Sequence, residues 1–448
     1  MADSTNYRFA RPAEIGDIAA LVGHSFPGPG RSPEWLRDQL AAPRFGGGAD
    51  TLFVGESGGR PVAACQVHPL RQWVGAEELA CTGIGTVAVS PTHRRRGIGA
   101  ELVAAALRAA HERGDVVSAL YPFRVGFYQE LGYGQAGEAH QYHVPPRMLP
   151  DAPERTRVIL VDDDDGRDEV LAFYNAWART QNGQLTRTPR MWAEQVMKHD
   201  RALVGYRNGG ALEGYALAIY RADLPAAERY LEIDEMAWVT PGARRGLYAW
   251  VAALGDQWHH VLIRGLPSHR LGDWIREPRL PTGSAPHWQL WAPQATLMAG
   301  TMFRVLDMQR AWERRRARGG GGDSSDVATS RGAGSGQPPV DITFDVRDEQ
   351  LPGNSGTWRV VLEEDGTRVE RGDAVQVASP AGATPGAGSN SGRCTIRLNV
   401  STLSRLYAGA LPATAAIAAG LAECDRPEAL PGLDAALKLP EPWTFDRF

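Results

Sequence analysis

Apolar residues recur at helical spacing over residues 12–22. Two apolar runs, 51–56 and 61–67, then flank Ser57-Gly58-Gly59-Arg60, which predicts a strand–turn–strand hairpin. Further along, the pattern predicts a strand over 81–89, an amphipathic helix over 99–113, a strand over 116–120 and a short helix over 127–133 ending at a glycine. A polar, proline-containing break follows at 151–155. The same order then returns: strand 157–161, helix 168–180, a hairpin of 202–207 and 212–220 around Asn208-Gly209-Gly210, strand 231–239, helix 245–257 and strand 260–263. The order repeats while the residues do not, which reads as a second copy of one fold rather than a short-period repeat. A third region starts near 295, with a strand over 296–306 and a helix over 307–316. A Gly/Ser-rich stretch follows that has almost nothing to bury. Apolar patterning resumes at Val340. A second such loop, 381–392, separates two strands, and 403–409 and 412–423 read as helical. The fold class is α/β (α+β), with domains at 1–150, 151–294 and 295–448 and a flexible insert at about 317–339.

Composition narrows the class. The 448 residues are 43% hydrophobic and 22% charged, which suits several soluble domains with cores of their own. Lys and Arg number 48 against 52 Asp and Glu, a balance that excludes a nucleic-acid coat or a polybasic membrane binder. The four cysteines show no C-x-x-C spacing, so neither a zinc ribbon nor a redox dithiol is expected. The polar N-terminus has no apolar core of a signal peptide, and no run approaches twenty apolar residues. A cytoplasmic location is the resulting expectation.

The sharpest chemical signal is Val87-Ala88-Val89-Ser90-Pro91-Thr92-His93-Arg94-Arg95-Arg96-Gly97-Ile98-Gly99-Ala100. A strand runs into R-x-x-G-x-G and a helix starts at its end. Gly97 and Gly99 let the backbone approach a ligand closely. The first helical turn has N–H groups without intrahelical partners, and these suit a pyrophosphate. Arg94, Arg95 and Arg96 add charge-assisted donors. There is no G-x-G-x-x-G, and no Lys-Ser/Thr follows the glycines as a P-loop needs. The matching stretch of the second copy, residues 239–248, keeps Pro241 and Arg244-Arg245-Gly246 but has Tyr248 where the second glycine would stand, so no coenzyme is expected there. The run Asp162-Asp163-Asp164-Asp165 lacks the glycine and distal glutamate of a calcium loop and reads as a solvated turn. The dispersed histidines have no carboxylate partner set, so no metal is expected.

The arginine–glycine segment resembles motif A of the GCN5-related N-acetyltransferases, whose loop holds the pyrophosphate of acetyl-CoA. Together with Phe127-Tyr128-Gln129-Glu130-Leu131-Gly132-Tyr133-Gly134 it resembles the Eis family of actinobacterial aminoglycoside acetyltransferases. That resemblance implies two fused acetyltransferase folds followed by a sterol-carrier-like domain, and transfer of acetyl from acetyl-CoA to an amine. It implies that the backbone of Val87, Ala88 and Val89 meets the pantetheine arm and the thioester. Residues Arg95 to Ala100, Ile98 among them, would hold the pyrophosphate, and Phe123 and Arg124 would make further coenzyme contacts. Tyr128 takes the position of the general acid: a phenol of pKa about 10 is protonated at neutral pH and can supply the leaving thiolate. Tyr121 and Tyr133 are nearby alternatives.

The family's general base is the carboxylate of a terminal phenylalanine, here Phe448. Trp443, Phe445 and Phe448 crowd the last six positions, and a docked tail is expected because exposing all three rings forgoes several kcal/mol of burial. Asp446 is the alternative carboxylate. Trp35 and Phe26 fall where the family lines its substrate pocket. The acidic residue expected soon after Phe26 is absent, and Arg447 stands where an acidic residue is typical. This weakens the attraction for a polycationic aminoglycoside and admits other amine-bearing natural products or peptides. The resemblance further implies a homohexamer built as a trimer of dimers. A reading of another class is a non-catalytic protein that sequesters an apolar ligand in the sterol-carrier-like domain.

Overall fold

The computed structural model describes residues 5–28, 31–43, 45–196, 200–221, 224–225, 229–265, 269, 271–275, 295–315, 339–363, 366–372 and 394–448. The expected insert at 317–339 lies outside the described residues except for its last position, and the expected loop at 381–392 lies wholly outside them. Two compact units are formed. The first comprises 1–136, 301–442 and 447–448; the second comprises 137–300 and 443–446.

The first unit holds a seven-stranded sheet. Its strands are, in order across the sheet, β1 (Asn6–Phe9), β2 (Leu52–Ser57), β3 (Arg60–Val74), β4 (Glu77–Val89), β5 (Val117–Leu120), the strand Met302–Val305, and β6 (Gly134–Gln135). All neighbours are antiparallel except β4 and β5. A parallel pair needs a crossover, and helix α3 (Ile98–Arg113) supplies it. Its apolar stripe, Leu102, Val103, Ala106 and Leu107, is buried in one core cluster with Val67, Ile84 and Leu120. A second cluster joins α1 (Ile15–Ser25) and α2 (Pro33–Ala41) to Leu52, Val54 and Ala88. The strands expected at 61–67 and 81–89 are longer than predicted. Each is extended toward the turn at Gly75, which takes a left-handed φ of 63°.

The C-terminal part of this unit is a five-stranded sheet in the order Gly366–Gly372, Gly356–Glu363, Val340–Arg347, Cys394–Asn399, Ala422–Cys424. Its interior is filled by Trp312, whose ring lies 5.0 Å from Phe344 and 5.3 Å from Tyr407. The helix expected over 412–423 ends at Ala418. Gly420 at φ 68° closes it, and Ala422–Cys424 turns into an edge strand.

The second unit repeats the first sheet's plan. Its only parallel pair among the described residues, Tyr230–Trp238 with Val261–Gly265, is again bridged by a helix, Pro241–Ala253. Glu138–Val144, which precedes the expected boundary at 150, pairs into this sheet. The stretch 296–306, expected as one strand, is two: Ala295–Ala299 pairs in the second unit and Met302–Val305 in the first. They part at Gly300, where a methyl group would lie 2.7 Å from the Gly137 carbonyl oxygen. The acidic run is not a turn throughout. Asp163 accepts a 2.7 Å bond from the Gly166 amide and caps a helix that begins at Asp164. Among the described residues no helix is long and apolar enough to cross a membrane, and no three His, Cys, Asp or Glu side chains converge to hold a metal.

Candidate active site

The site begins with a fault in the ladder. Gln66 pairs with Gly85 and Ala64 with Ala88, so Thr86 and Val87 together stand opposite Cys65. Thr86 is held at φ 50°, and its hydroxyl donates to Gln66 Oε1 at 2.6 Å. On the other edge, pairing of β4 with β5 stops at Ile84 and Leu120 while β4 runs on to Val89. Among the described residues the outer edge of 85–89 therefore has no strand partner. A cleft lined by main-chain donors and acceptors opens between two parallel strands, at the carboxyl end of both.

The arginine loop follows directly. Arg95 at φ 63° and Gly97 at φ 82° are both left-handed, which curls the loop before α3. Among the described residues no side chain caps the helix. The amides of Ala100 and Glu101 bond to the Gly97 carbonyl, and those of Ile98 and Gly99 precede the first intrahelical donors. A methyl group on Gly99 would lie 3.3 Å from Val89 Cγ2 and 3.7 Å from Phe127 Cζ, so glycine lets the helix close against the end of β4. Arg94, Arg95 and Arg96 are all exposed, and Arg94 Nε donates to the Val89 carbonyl at 3.2 Å.

Tyr128 sits in α4 (Val125–Gln129), 3% exposed, edge-on to Phe127, Phe123 and Tyr133 at 4.9, 5.6 and 6.0 Å. Burial, and to a smaller degree Cys65, raises its pKa well above that of a free phenol. Phe123 is 70% exposed and Arg124 is the residue before the helix. Tyr133 is different. Its hydroxyl lies 2.6 Å from Ser118 Oγ, a closed pair in the core. The turn carrying Tyr128 is gripped from the C-terminal part of the unit. Arg304, fully buried, donates to the Leu131 carbonyl and to Asp348 at 2.8 Å, and Ser401 donates to the Tyr133 carbonyl at 2.8 Å.

Phe448 packs on β4. Its ring lies 5.9 Å from Phe45 and 5.8 Å from Tyr121, which follows β5. A methyl group on Gly83 would meet the Phe448 ring at 2.8 Å. One on Gly85 would meet its main-chain carbon at 3.3 Å and His68 Nε2 at 3.2 Å. Phe448 thus lies where the cleft between β4 and β5 starts.

Three parts of the chain match family models: an acetyltransferase (GNAT) domain over 6–136, a second acetyltransferase (GNAT) domain over 183–305, and a sterol carrier protein domain over 326–445. The N-acetyltransferase Eis of Mycobacterium tuberculosis is 32% identical over 225 residues, covering 48% of this chain and 54% of that protein. An uncharacterised N-acetyltransferase of Streptomyces avermitilis is 28% identical over 300 residues, 62% of this chain and 69% of the other. The matched segment thus spans about half the length of the Eis relative. Among solved structures, a GCN5-related N-acetyltransferase from Anabaena variabilis superposes with a TM-score of 0.79 at 17% identity, covering 99% of this chain and 100% of the other. Eis1 from Mycobacterium abscessus superposes with 0.73 at 19%, covering 99% and 100%. These two share the fold. The chain belongs to the Eis-like family of GNAT N-acetyltransferases.

Within this Eis-like frame the other sequence-derived residues fall in separate places. Phe26 ends α1, half-buried against the α1–α2 cluster. Trp35 is in the first turn of α2, 44% exposed. Among the described residues no ring contact joins either to Tyr128 or Phe448. Asp446, the alternative carboxylate, belongs to the second unit. There it is buried on Arg187 Nε at 3.0 Å, beside Tyr174. The second GNAT domain lacks the cradle for a different reason than the tyrosine suggests. Tyr248 points into the core, whereas Thr240 caps the helix by accepting from the Ala243 amide at 3.1 Å and Pro241 removes a donor. Sequence reasoning passed over His68, Gly83 and Gly85. The signal was present for the glycines: two in one strand, at 83 and 85, mark a close approach to its face.

Proposed function

We propose that the chain transfers acetyl from acetyl-CoA to a primary amine of a small molecule, the amine of a natural product or of a peptide. The observation carrying this reading is the open edge of β4 running into an uncapped helix behind three exposed arginines. Strand amides of Val87 and Val89 suit the amide groups of a pantetheine arm, and Arg94 to Ala100 suit a pyrophosphate. Phe123 and Arg124 flank the same mouth. The coenzyme supplies an acetyl thioester, an acyl group activated toward amines.

The protein's own work is then proton handling and orientation. Tyr128, kept protonated by its burial, donates to the departing sulfur. The carboxylate of Phe448, laid over Gly85, accepts from the amine. Phe26 and Trp35 offer aromatic surface to the amine's carrier, and Arg447, exposed, disfavours polycations. The sequestering alternative has less support, because among the described residues of that domain Trp312 packs directly on Phe344 and Tyr407, all three buried. The homohexamer and a cytoplasmic setting belong to the same proposal, and light scattering checks the former.

The direct test is a panel of amines assayed by release of free thiol, with coenzyme A thermal shifts on the parent and on Arg95→Ala. Expected are thiol release with at least one amine and a coenzyme shift reduced in the variant. A parent that coenzyme A does not stabilise would end the reading.

A further inference from the structure

The scheme above leaves one buried group of the site without a task. His68 lies in β3 opposite Gly83, 3% exposed. Its ring packs at 5.1 Å on Phe45, which in turn packs on Phe448. His68 Nε2 and the main-chain carbon of Phe448 approach one point, 3.2 and 3.3 Å from where a methyl on Gly85 would stand. Their separation therefore cannot exceed the sum of those distances. The other ring nitrogen, Nδ1, is buried and has no hydrogen-bond partner among the described residues. Sequestered polar atoms are nearly always paired, because leaving one unpaired is unfavourable. A leucine would fill this niche with less penalty. An imidazole kept there at a loss of stability is what a chemical task would explain.

We propose that His68 is a proton acceptor of the acetyl-transfer site, paired with the Phe448 carboxyl group. The inference rests on the acetyltransferase reading. The amine nitrogen forms its bond to the acetyl carbonyl carbon, and the carbon–sulfur bond breaks. Tyr128 gives its proton to the sulfur, and the amine's surplus proton passes by way of the Phe448 carboxylate to the His68 ring. The carboxylate then faces an imidazolium and offsets the burial that otherwise opposes the charge. Burial alone pushes the His68 pKa down to about 4, so the ring awaits substrate in its neutral, proton-accepting form.

The test uses the full chain with His68→Leu, His68→Gln, His68→Ala and Tyr128→Phe, measuring kcat, KM for acetyl-CoA and Tm. His68→Leu is expected to lower kcat about 100-fold, within the range of general-base contributions. KM for acetyl-CoA should stay within about threefold, and Tm should equal or exceed the parent's. His68→Gln, neutral and polar, should lose the same activity and decides the matter if the leucine variant does not fold. Added imidazole should restore part of the rate to His68→Ala. If His68→Leu and His68→Gln keep kcat within about threefold while Tyr128→Phe is crippled, His68 is packing only and the acetyltransferase reading stands without it. A parent that acetylates no amine overturns both.

Discussion

At the scale of single residues, two tyrosines five positions apart have different fates. Tyr133 closes on Ser118 inside the core, whereas Tyr128 has ring neighbours around it and no hydrogen bond to its hydroxyl among the described residues. Tyr128→Phe is expected to lower kcat by about 100- to 1000-fold with acetyl-CoA KM unchanged. Tyr133→Phe should keep activity and lose about 1 kcal/mol of stability, read from urea midpoints. Tyr128 could be picked out from sequence by its place in Phe-Tyr-x-x-x-Gly-Tyr-Gly. His68 could not, because its meaning depends on Phe448 arriving from the far end of the chain. Its burial also makes a prediction about pH. His68 and His269 are both held down to about 4, by burial and, for His269, additionally by Arg244. Their unfolded values are about 6.5. Because the unfolded chain binds these protons more tightly, stability is greatest above pH 6.5 and falls as pH drops toward 4, by on the order of 3 kcal/mol per histidine. Thermal unfolding followed from pH 7 to 4 should show this loss, and His68→Leu should remove its share.

At the scale of elements, the strand–loop–helix from Val87 to Ala100 was legible because everything that makes it lies within fourteen residues. Glycines, arginines and the apolar period of α3 each point the same way. The turn after Tyr128 was only half legible. Gly132 announces its end, and it adopts φ 85°, but the groups that clamp it, Arg304, Val400 and Ser401, are remote in sequence. Once these are seen, the glycine's constraint is double. A methyl group there would collide with the Arg304 guanidinium and lie 2.7 Å from Val400 Cγ1, on a left-handed backbone as well. Gly132→Ala should therefore lower stability by about 2–4 kcal/mol, more than backbone strain alone. Asp348→Ala should lower it by about 3–5 kcal/mol, because Arg304 would keep its charge in the core without a counter-charge. Both are measured by urea unfolding, and loss of Tyr128-dependent turnover should accompany each. On this view the sterol-carrier-like domain braces the turn that carries Tyr128.

At the scale of the whole molecule, the three family matches do not coincide with the two compact units, and the tail is where this matters. Periodicity detected the repeated βαβ order but could not show that residues 443–446 pack in one unit and 447–448 in the other. The four-residue segment is tied down by Phe445, stacked on Trp177 at 5.5 Å, and by Asp446 on Arg187. Arg187 is the centre of a buried cluster. It donates twice to Glu235 at 2.8 Å, and Glu235 also accepts from Tyr215. Burial works against the arginine's charge, but Asp446 and Glu235 raise its pKa above the ordinary value, so it stays a cation. Arg187→Met removes the buried cation that bonds both carboxylates, a loss of about 3–5 kcal/mol for the second unit. The consequence for chemistry follows from covalent continuity. Asp446 is bonded to Arg447, and Phe448 comes next, so a segment released at 446 frees the residue laid over Gly83 and Gly85. Arg187→Met is thus expected to lower kcat at temperatures where the first unit is still folded, with the thermal shift given by coenzyme A retained. Arg207→Met, which removes a half-exposed ion pair with Glu169 in the same unit, should leave kcat unchanged. Equal losses in the two variants would place the effect in general stability and sever the tail from the reaction.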